Sequence, residues 1–200
     1  MKLLNKTQSG RSMVEMLGVL AIIGVLSVGG IAGYSKAMHK YKMNQTMDIV
    51  SKVLMNIIEL SSRTSDEDRF SRSDAAKAGV FDGLSCNSYG TCTLPIGYKI
   101  NAASGLLEIS MDKSSQSTRI NFCTDFLSQH WESVIPTSSY NYELLIGVGD
   151  YKYNYSYVYS YDKRNDDDSI TNYNLDDIQE ACNTACARKD YDCTIIIDWS

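Results

Sequence analysis

The sequence predicts an α+β fold in which a long N-terminal α-helix packs on a small antiparallel β-sheet head that is held by disulfides. Three observations carry this prediction. An uncharged apolar run from Met16 to Ala32 is followed by a helical stripe of apolar side chains. Strand-like alternating segments begin only after Pro95, and all the cysteines lie in the C-terminal two thirds of the chain. This order of segments is typical of one long helix laid on a sheet.

The composition excludes one class of partner and indicates a compartment. The chain carries a net charge of −5, whereas a protein that grips nucleic acid places a Lys or Arg beside each phosphate it neutralises. No nucleic-acid partner is therefore expected.

An even number of cysteines indicates disulfides in an oxidising compartment. We favour disulfides over a zinc site and expect no cofactor, because the chain has only two histidines and its closest cysteines are four residues apart. The six are Cys86, Cys92, Cys123, Cys182, Cys186 and Cys193.

The apolar run is long enough to approach the thickness of a bilayer at about 1.5 Å per residue. Three interpretations compete for it: a secretory signal peptide, a permanent anchor, and a segment that leaves the membrane for a filament. The run is longer than the usual signal-peptide core, which disfavours removal of the whole segment. Glu15 stands at its edge, where a carboxylate needs either a functional partner or a position at the level of the lipid headgroups.

The residues around Gly10 and Glu15 resemble the class III signal of type IV prepilins. The matching stretch is SGRSMVEMLGVLAIIGVL. In that family a Gly precedes the scissile bond, a Glu lies five residues after it, and a long apolar helix follows. The resemblance implies that prepilin peptidase cuts between Gly10 and Arg11 and that the new terminal amine is methylated. It also implies that Glu15 neutralises the terminal amine of a neighbouring subunit inside a filament.

The chain departs from the family pattern at two positions. Arg11 stands where the family usually has an apolar residue, and Ala32 stands where many members have a helix-kinking Pro, so a straighter helix is expected. The resemblance also predicts how the chain is divided. Residues 1–10 are expected to form a leader peptide, residues 11–62 a long helix and residues 63–200 a globular head. The apolar half of the helix, 13–34, is expected to be transmembrane before assembly.

The second half of the long helix is amphipathic. Its apolar residues alternate between spacings of four and three, which puts them on one stripe. An ordinary linker after a membrane anchor would lack such a stripe, so we expect this half to pack on the head. The stripe consists of Met43, Met47, Val50, Leu54 and Ile57.

The head reads as two hairpins, two helices and a final strand. The first hairpin joins Ile96–Asn101 to Leu106–Met111 through a turn at Ser104 and Gly105. A helix with Phe122, Phe126 and Leu127 at helical spacing follows. The second hairpin is predicted to turn at Gly149 and Asp150, and a short helix near Asp176 precedes a last strand, CTIIIDWS.

Six tyrosines alternate without a break in the second hairpin, so in an extended strand all six rings project from one face. We favour an inward orientation, against the helix stripe, because the other face of the strand is too polar for a core. The alternative is an outward platform for neighbouring subunits, glycans or host surfaces. The residues are Tyr151, Tyr153, Tyr155, Tyr157, Tyr159 and Tyr161.

The acidic run DKRNDDDS is interpreted as a solvated turn, and calcium binding is the less favoured alternative. Its candidate ligands are Asp166, Asp167 and Asp168.

Type IVb-like pilins tie their C-terminal region to the head by a disulfide, and this resemblance implies a bond from Cys123 to Cys182 or Cys186. In the same hypothesis, a bond between Cys86 and Cys92 closes a small loop. Cys193 bonds to whichever of Cys182 and Cys186 is not joined to Cys123.

The resemblance implies a structural protein. No phosphate-binding loop, nucleophile elbow or metal-binding His pair occurs in the sequence, so no enzyme activity is expected. The expected function is a subunit of a type IV pilus-like filament that serves adhesion, aggregation, motility or uptake. The alternatives are a minor pilin or pseudopilin of a type II secretion system and, from another class, a membrane-anchored extracytoplasmic binding protein.

The same resemblance implies the partners and the location. The partners are further copies of the chain in a helical filament, prepilin peptidase, the inner-membrane assembly machinery and, before assembly, the membrane itself. The precursor is expected in the inner membrane. The assembled protein is expected in an extracellular pilus or fimbrium, or in a periplasmic pseudopilus.

Overall fold

The computed structural model describes residues 13–63, 70–112, 115–135, 143–150, 155–162, 171–172, 174–187 and 192–199. Its helices and strands occur in the order expected for an α+β protein with a long first helix. They are α1 (Met13–Arg63), α2 (Arg72–Lys77), β1 (Ser85–Cys86), β2 (Cys92–Thr93), β3 (Lys99–Ala103), β4 (Leu106–Met111), α3 (Gln116–Leu127), β5 (Glu143–Asp150), β6 (Tyr155–Asp162), β7 (Thr171–Asn172), α4 (Leu175–Cys186) and β8 (Cys193–Asp198).

The chain divides into two compact units, 1–41 and 42–200. In the first unit the described residues are helical and nearly all are exposed. In the second unit the remaining part of α1 buries one side in the head. The buried residues confirm the predicted stripe, with Met47 half-buried and with Thr46 and Val53 added to it. They are Met43, Thr46, Val50, Val53, Leu54 and Ile57.

The described strands form one sheet of eight in the order β1-β2-β3-β4-β8-β5-β6-β7. Every pairing between neighbours is antiparallel. The last strand of the chain therefore lies in the middle of the sheet, between β4 and β5. This position explains its burial, because a central strand has a neighbouring strand on each side, and Cys193 to Ile197 are all buried.

One face of the sheet carries the core. β4 alternates between half-buried and buried residues along its length, as a strand with one buried face does. Cross-strand partners continue this face through the central strands, with Ile109 opposite Ile195 and Ile195 opposite Val148. The same core contains the stripe of α1, and the Asn56 side chain of α1 donates a hydrogen bond to the Val80 carbonyl oxygen at 3.2 Å.

Aromatic side chains of α3 extend the core. Phe122 packs edge-on to Tyr98 with ring centroids 4.8 Å apart, and Phe126 stacks on Trp131 at 4.6 Å. The Trp131 indole N–H donates to the Phe126 carbonyl oxygen at 2.7 Å, so its one polar atom is satisfied. These contacts confirm the predicted helix with Phe122 and Phe126 on its buried side.

The first hairpin, the helix near Asp176 and the last strand are confirmed. The predicted turn at Gly149 and Asp150 is wrong, because both residues belong to β5. Gly149 pairs with Thr194 of β8, and Asp150 pairs with Cys193. Pairing with β8, the central strand, thus extends β5 beyond Gly149.

Candidate assembly surfaces

The first unit presents an apolar helix surface. Every residue from Met13 to Ala37 is exposed, and α1 is long and apolar enough to cross a membrane by length and composition. None of the most apolar 18-residue window is buried within the described structure. A helix that is apolar on all sides is suited to an apolar environment on all sides.

The free energy available from burying this surface is large. Full burial of one such side chain is worth about 1.5–3 kcal/mol, so the set corresponds to on the order of 20 kcal/mol. The set, whose exposed fractions run from 51% to 83%, is Met13, Val14, Met16, Leu17, Val19, Leu20, Ile22, Ile23, Val25, Leu26, Val28 and Ile31.

Glu15 lies in the first turn of α1 and is exposed. A carboxylate there interacts favourably with the positive end of the helix dipole, so the position is compatible with an isolated helix. Within an apolar phase the same carboxylate requires a cation nearby. The predicted cleavage residues Gly10 and Arg11 lie outside the described residues.

Three disulfides hold the head, and they agree with the hypothesis, in which the partner of Cys123 was either Cys182 or Cys186. Cys86 bonds to Cys92, Cys123 to Cys182 and Cys186 to Cys193. The second bond ties α3 to α4, and the third ties α4 to the central strand β8. Cys182 and Cys186 are one helical turn apart and both are buried, yet they reach different partners, as expected for two cysteines on one helix face.

The tyrosines of β6 do not share one face, so the prediction of a single face is wrong. Ile146 and Gly147 are consecutive in β5 and therefore point to opposite faces. Tyr159 pairs with Ile146, whereas Tyr157 pairs with Gly147. The register shifts between these two pairs, and one extra residue of β6, Val158, forms a bulge.

The bulge sends the described tyrosines in two directions. Tyr159 and Tyr161 are half-buried and pack against the core, which is the predicted inward orientation. Tyr155 and Tyr157 lie on the opposite face, with ring centroids 6.3 Å apart, and we refer to them as the outer tyrosine pair. Tyr157 is 36% exposed. Tyr151 and Tyr153 lie outside the described residues.

Gly147 shows why the bulge occurs at this point. A Cβ added there would lie 2.7 Å from the Ser156 carbonyl oxygen and 3.0 Å from the Tyr157 Cα, so only glycine permits this approach of β6. The sequence contained the signal, because a glycine inside a strand often marks a bulge or a close backbone contact.

A shallow groove of about 390 Å³ runs along one face of α4, lined by Asp176, Gln179, Glu180, Asn183 and Thr184. Within the described ranges, no group of three His, Cys, Asp or Glu side chains is arranged to hold a metal ion. The calcium candidates Asp166, Asp167 and Asp168 lie outside those ranges, so that hypothesis stays a prediction.

Comparison of the chain with protein-family models, with curated proteins and with solved structures finds no match. The fold and the surfaces above, together with the N-terminal motif, are therefore the basis for a functional proposal.

Proposed function

We propose that this chain is the precursor of a structural subunit of a type IV pilus-like filament, cleaved after Gly10 and polymerised through its apolar helix. The observation that carries the proposal is the 51-residue helix α1, which begins within the prepilin-like motif, three residues after Gly10. Its first part exposes apolar side chains on all sides, and its later part is built into a disulfide-bonded α+β head.

The energetics of the helix support polymerisation. The exposed apolar surface needs either lipid or other copies of the same helix around it. In a bundle of such helices, a Glu15 carboxylate is costly unless a cation neutralises it. By the resemblance to type IV prepilins, a terminal amine created at Arg11 of a neighbouring copy supplies that cation.

Two other functions make different use of the same features. A minor pilin or a type II secretion pseudopilin also requires cleavage and Glu15 but accumulates in few copies. A membrane-anchored binding protein requires only the apolar helix, and the outer tyrosine pair favours this alternative as a contact surface. The abundance of the chain in filaments sheared from cells separates the first two functions, and the requirement for Glu15 separates both from the third.

The test replaces Glu15 by Ala and by Gln in the full chain and measures the filaments sheared from cells. We expect each variant to reduce sheared filaments by about tenfold or more, since an unpaired buried charge costs about 3–5 kcal/mol. The amount of membrane-bound chain should stay unchanged.

The matched control is Asp48→Ala, which removes another exposed acidic residue of α1 and should leave filaments at the wild-type level. Wild-type filament levels in both Glu15 variants would contradict the assembly role of Glu15. Absence of the chain from filaments sheared from wild-type cells would contradict the proposal as a whole and favour the anchored binding protein.

A further inference from the structure

A short basic and aromatic segment follows the apolar part of α1. We call residues 34–42, YSKAMHKYK, the belt segment. It contains Tyr34 and Tyr41 together with Lys36, Lys40 and Lys42. No acidic residue occurs between Glu15 and Asp48 in the sequence, so the belt segment is strongly cationic although the whole chain has a net charge of −5.

The side chains of the belt segment are available for contact. Tyr34 is 68% and Tyr41 61% exposed, and the three lysines are exposed as well. Across the described part of the chain, none of the three ammonium groups forms a salt bridge. Near the end of α1, in contrast, Arg63 pairs with Glu59 on the same helix.

Helix geometry distributes these groups around the axis. Lys36 and Lys40 are four residues apart and share one face, and Tyr34 and Tyr41 are seven residues apart and share another. The two faces are separated by more than a quarter turn at about 100° per residue. Lys42 is six residues beyond Lys36 and lies on a third side of the helix. Whatever surrounds the segment must therefore accept cations and tyrosine rings around the whole helix.

The headgroup layer of a bilayer has these properties. The apolar residues from Met16 to Gly33 span about 27 Å at the standard rise, close to the hydrocarbon thickness of roughly 30 Å. Tyr34 then falls at the interface, where tyrosine rings are enriched. Lys36 falls within the headgroup layer, and Lys40 and Lys42 lie further out, within a Debye length of about 8–10 Å of the phosphates.

We propose that the belt segment binds the phosphates of anionic phospholipids in the membrane leaflet at the far end of the apolar helix. The inference rests on the proposed function, since it concerns the membrane-inserted precursor. Lysines near an anionic surface each contribute attraction, and their long apolar stems let the ammonium groups reach the phosphates. Such binding fixes the depth of the helix before the subunit leaves the membrane.

The test reconstitutes the full chain into phosphatidylcholine bilayers that contain spin-labelled phosphatidylglycerol or spin-labelled phosphatidylcholine. Electron paramagnetic resonance measures the fraction of each lipid that is immobilised at the protein. We expect the wild-type chain to prefer phosphatidylglycerol by about twofold or more at low salt, because three lysines lie near the headgroups. Molar salt should abolish the preference by screening.

The lipid preference is compared between two triple variants, each of which loses three positive charges. Lys36→Gln/Lys40→Gln/Lys42→Gln should lose at least half of the preference. The control, Lys52→Gln/Lys77→Gln/Lys99→Gln, changes exposed lysines outside the belt segment and should keep it.

Each contrary result has its own meaning. An unchanged preference in the belt variant would overturn the inference and leave the proposed function standing. If that variant with an unchanged preference also lost filament assembly, the lysines would be assigned to acidic surfaces of neighbouring copies. A wild-type chain that immobilises no lipid would overturn both the inference and the membrane-inserted precursor.

Discussion

At the scale of single residues, the loop closed by Cys86 and Cys92 depends on a tight set of backbone contacts. The Asn87 side-chain oxygen accepts hydrogen bonds from the N–H groups of Tyr89 and Thr91, both at 3.0 Å. Gly90 has a φ of 78°, which suits glycine. A Cβ added to Gly90 would lie 2.1 Å from the Arg72 carbonyl oxygen, so this loop is held against the start of α2.

Gly90→Ala is predicted to destabilise the head far more than Gly83→Ala. Gly83 has a similar φ of 86°, but nothing lies within 4 Å of an added Cβ. The control should therefore cost only the left-handed backbone penalty of about 1–2 kcal/mol. Gly90→Ala should cost roughly 2 kcal/mol more, because the backbone of Arg72 must move.

The measurement is denaturant unfolding followed by the fluorescence of Trp131 and Trp199, which are both buried in the head. Equal unfolding midpoints for the two glycine variants would show that the Gly90 contact with Arg72 does not form.

Asp74 illustrates an electrostatic effect of a single residue. The Ser71 hydroxyl and the Ser71 backbone N–H both donate to its carboxylate, at 2.6 and 3.1 Å. These hydrogen bonds, and then the ammonium of Lys77, lower the pKa of Asp74 below its ordinary value of 3.8. Because the pKa is lower in the folded protein, ionised Asp74 stabilises the fold above pH 3.8, and this contribution is lost as the pH falls through the folded-state pKa.

Ser71→Ala is predicted to raise the pKa of Asp74 towards 3.8, since it removes the largest cause of the shift. Lys77→Gln should raise that pKa by less, because the Lys77 ammonium lies 3.9 Å away and is exposed. A carbon-detected NMR titration of the Asp74 carboxyl group measures both. A larger rise with Lys77→Gln would contradict the assignment of the shift to the capping hydrogen bonds.

At the scale of elements, the bulge in β6 separates core-forming tyrosines from surface tyrosines. The core-facing residues Tyr159 and Tyr161 lie opposite Ile146 and Leu144. Tyr157 lies opposite Gly147 on the other face. A change of one residue in register thus gives neighbouring rings of the same strand different roles.

Tyr159→Ala and Tyr161→Ala are each predicted to destabilise the head by at least about 1 kcal/mol more than Tyr157→Ala. The first two variants remove apolar area from the core, whereas the third removes a ring from the outer face. Denaturant unfolding of the three variants tests this expectation. Equal losses for all three would mean that the tyrosines share one face after all.

Elements governed by local spacing could be predicted from the sequence, and those governed by pairing could not. The stripe on α1 follows from helical periodicity, and the β3–β4 hairpin follows from alternation around Gly105. Strands β1 and β2 have two residues each, which is too short for any periodic signal. The β6 bulge and the end of β5 depend on the partner strands, so the residues of one strand alone did not reveal them.

At the scale of the whole molecule, disulfides connect distant parts of the head. The Cys123–Cys182 bond links residues 59 apart in sequence, whereas Cys86–Cys92 links residues only 6 apart. A cross-link that closes a longer loop removes more conformational entropy from the unfolded chain. The bond between α3 and α4 should therefore contribute most to the stability of the folded head.

The double variant Cys123→Ala/Cys182→Ala is predicted to lose about 4 kcal/mol of unfolding free energy, against about 2 kcal/mol for Cys86→Ala/Cys92→Ala. Burial of Cys123 and Cys182 adds a small cavity in the same direction. Denaturant unfolding of the two variants measures the difference. A greater loss of unfolding free energy for Cys86→Ala/Cys92→Ala would show that the disulfides do not stabilise the head mainly by restricting the unfolded chain.

The proposal that the chain is a filament subunit depends on one processing event. If prepilin peptidase removes residues 1–10, the apolar part of α1 starts close behind a new terminal amine, and Glu15 obtains a partner in the neighbouring copy. If the leader is retained, Lys2 and Lys6 remain at the end of the helix, and polymerisation through that end would bury their charges. Cleavage thus distinguishes a filament subunit from an anchored binding protein.

The most direct test is the intact mass of the N-terminal peptide of the protein from cells with and without prepilin peptidase. The proposal predicts a chain that begins at Arg11 only when the peptidase is present, with the amine methylated. A chain that begins at Met1 in both strains, or one cut beyond Ala32, would contradict it.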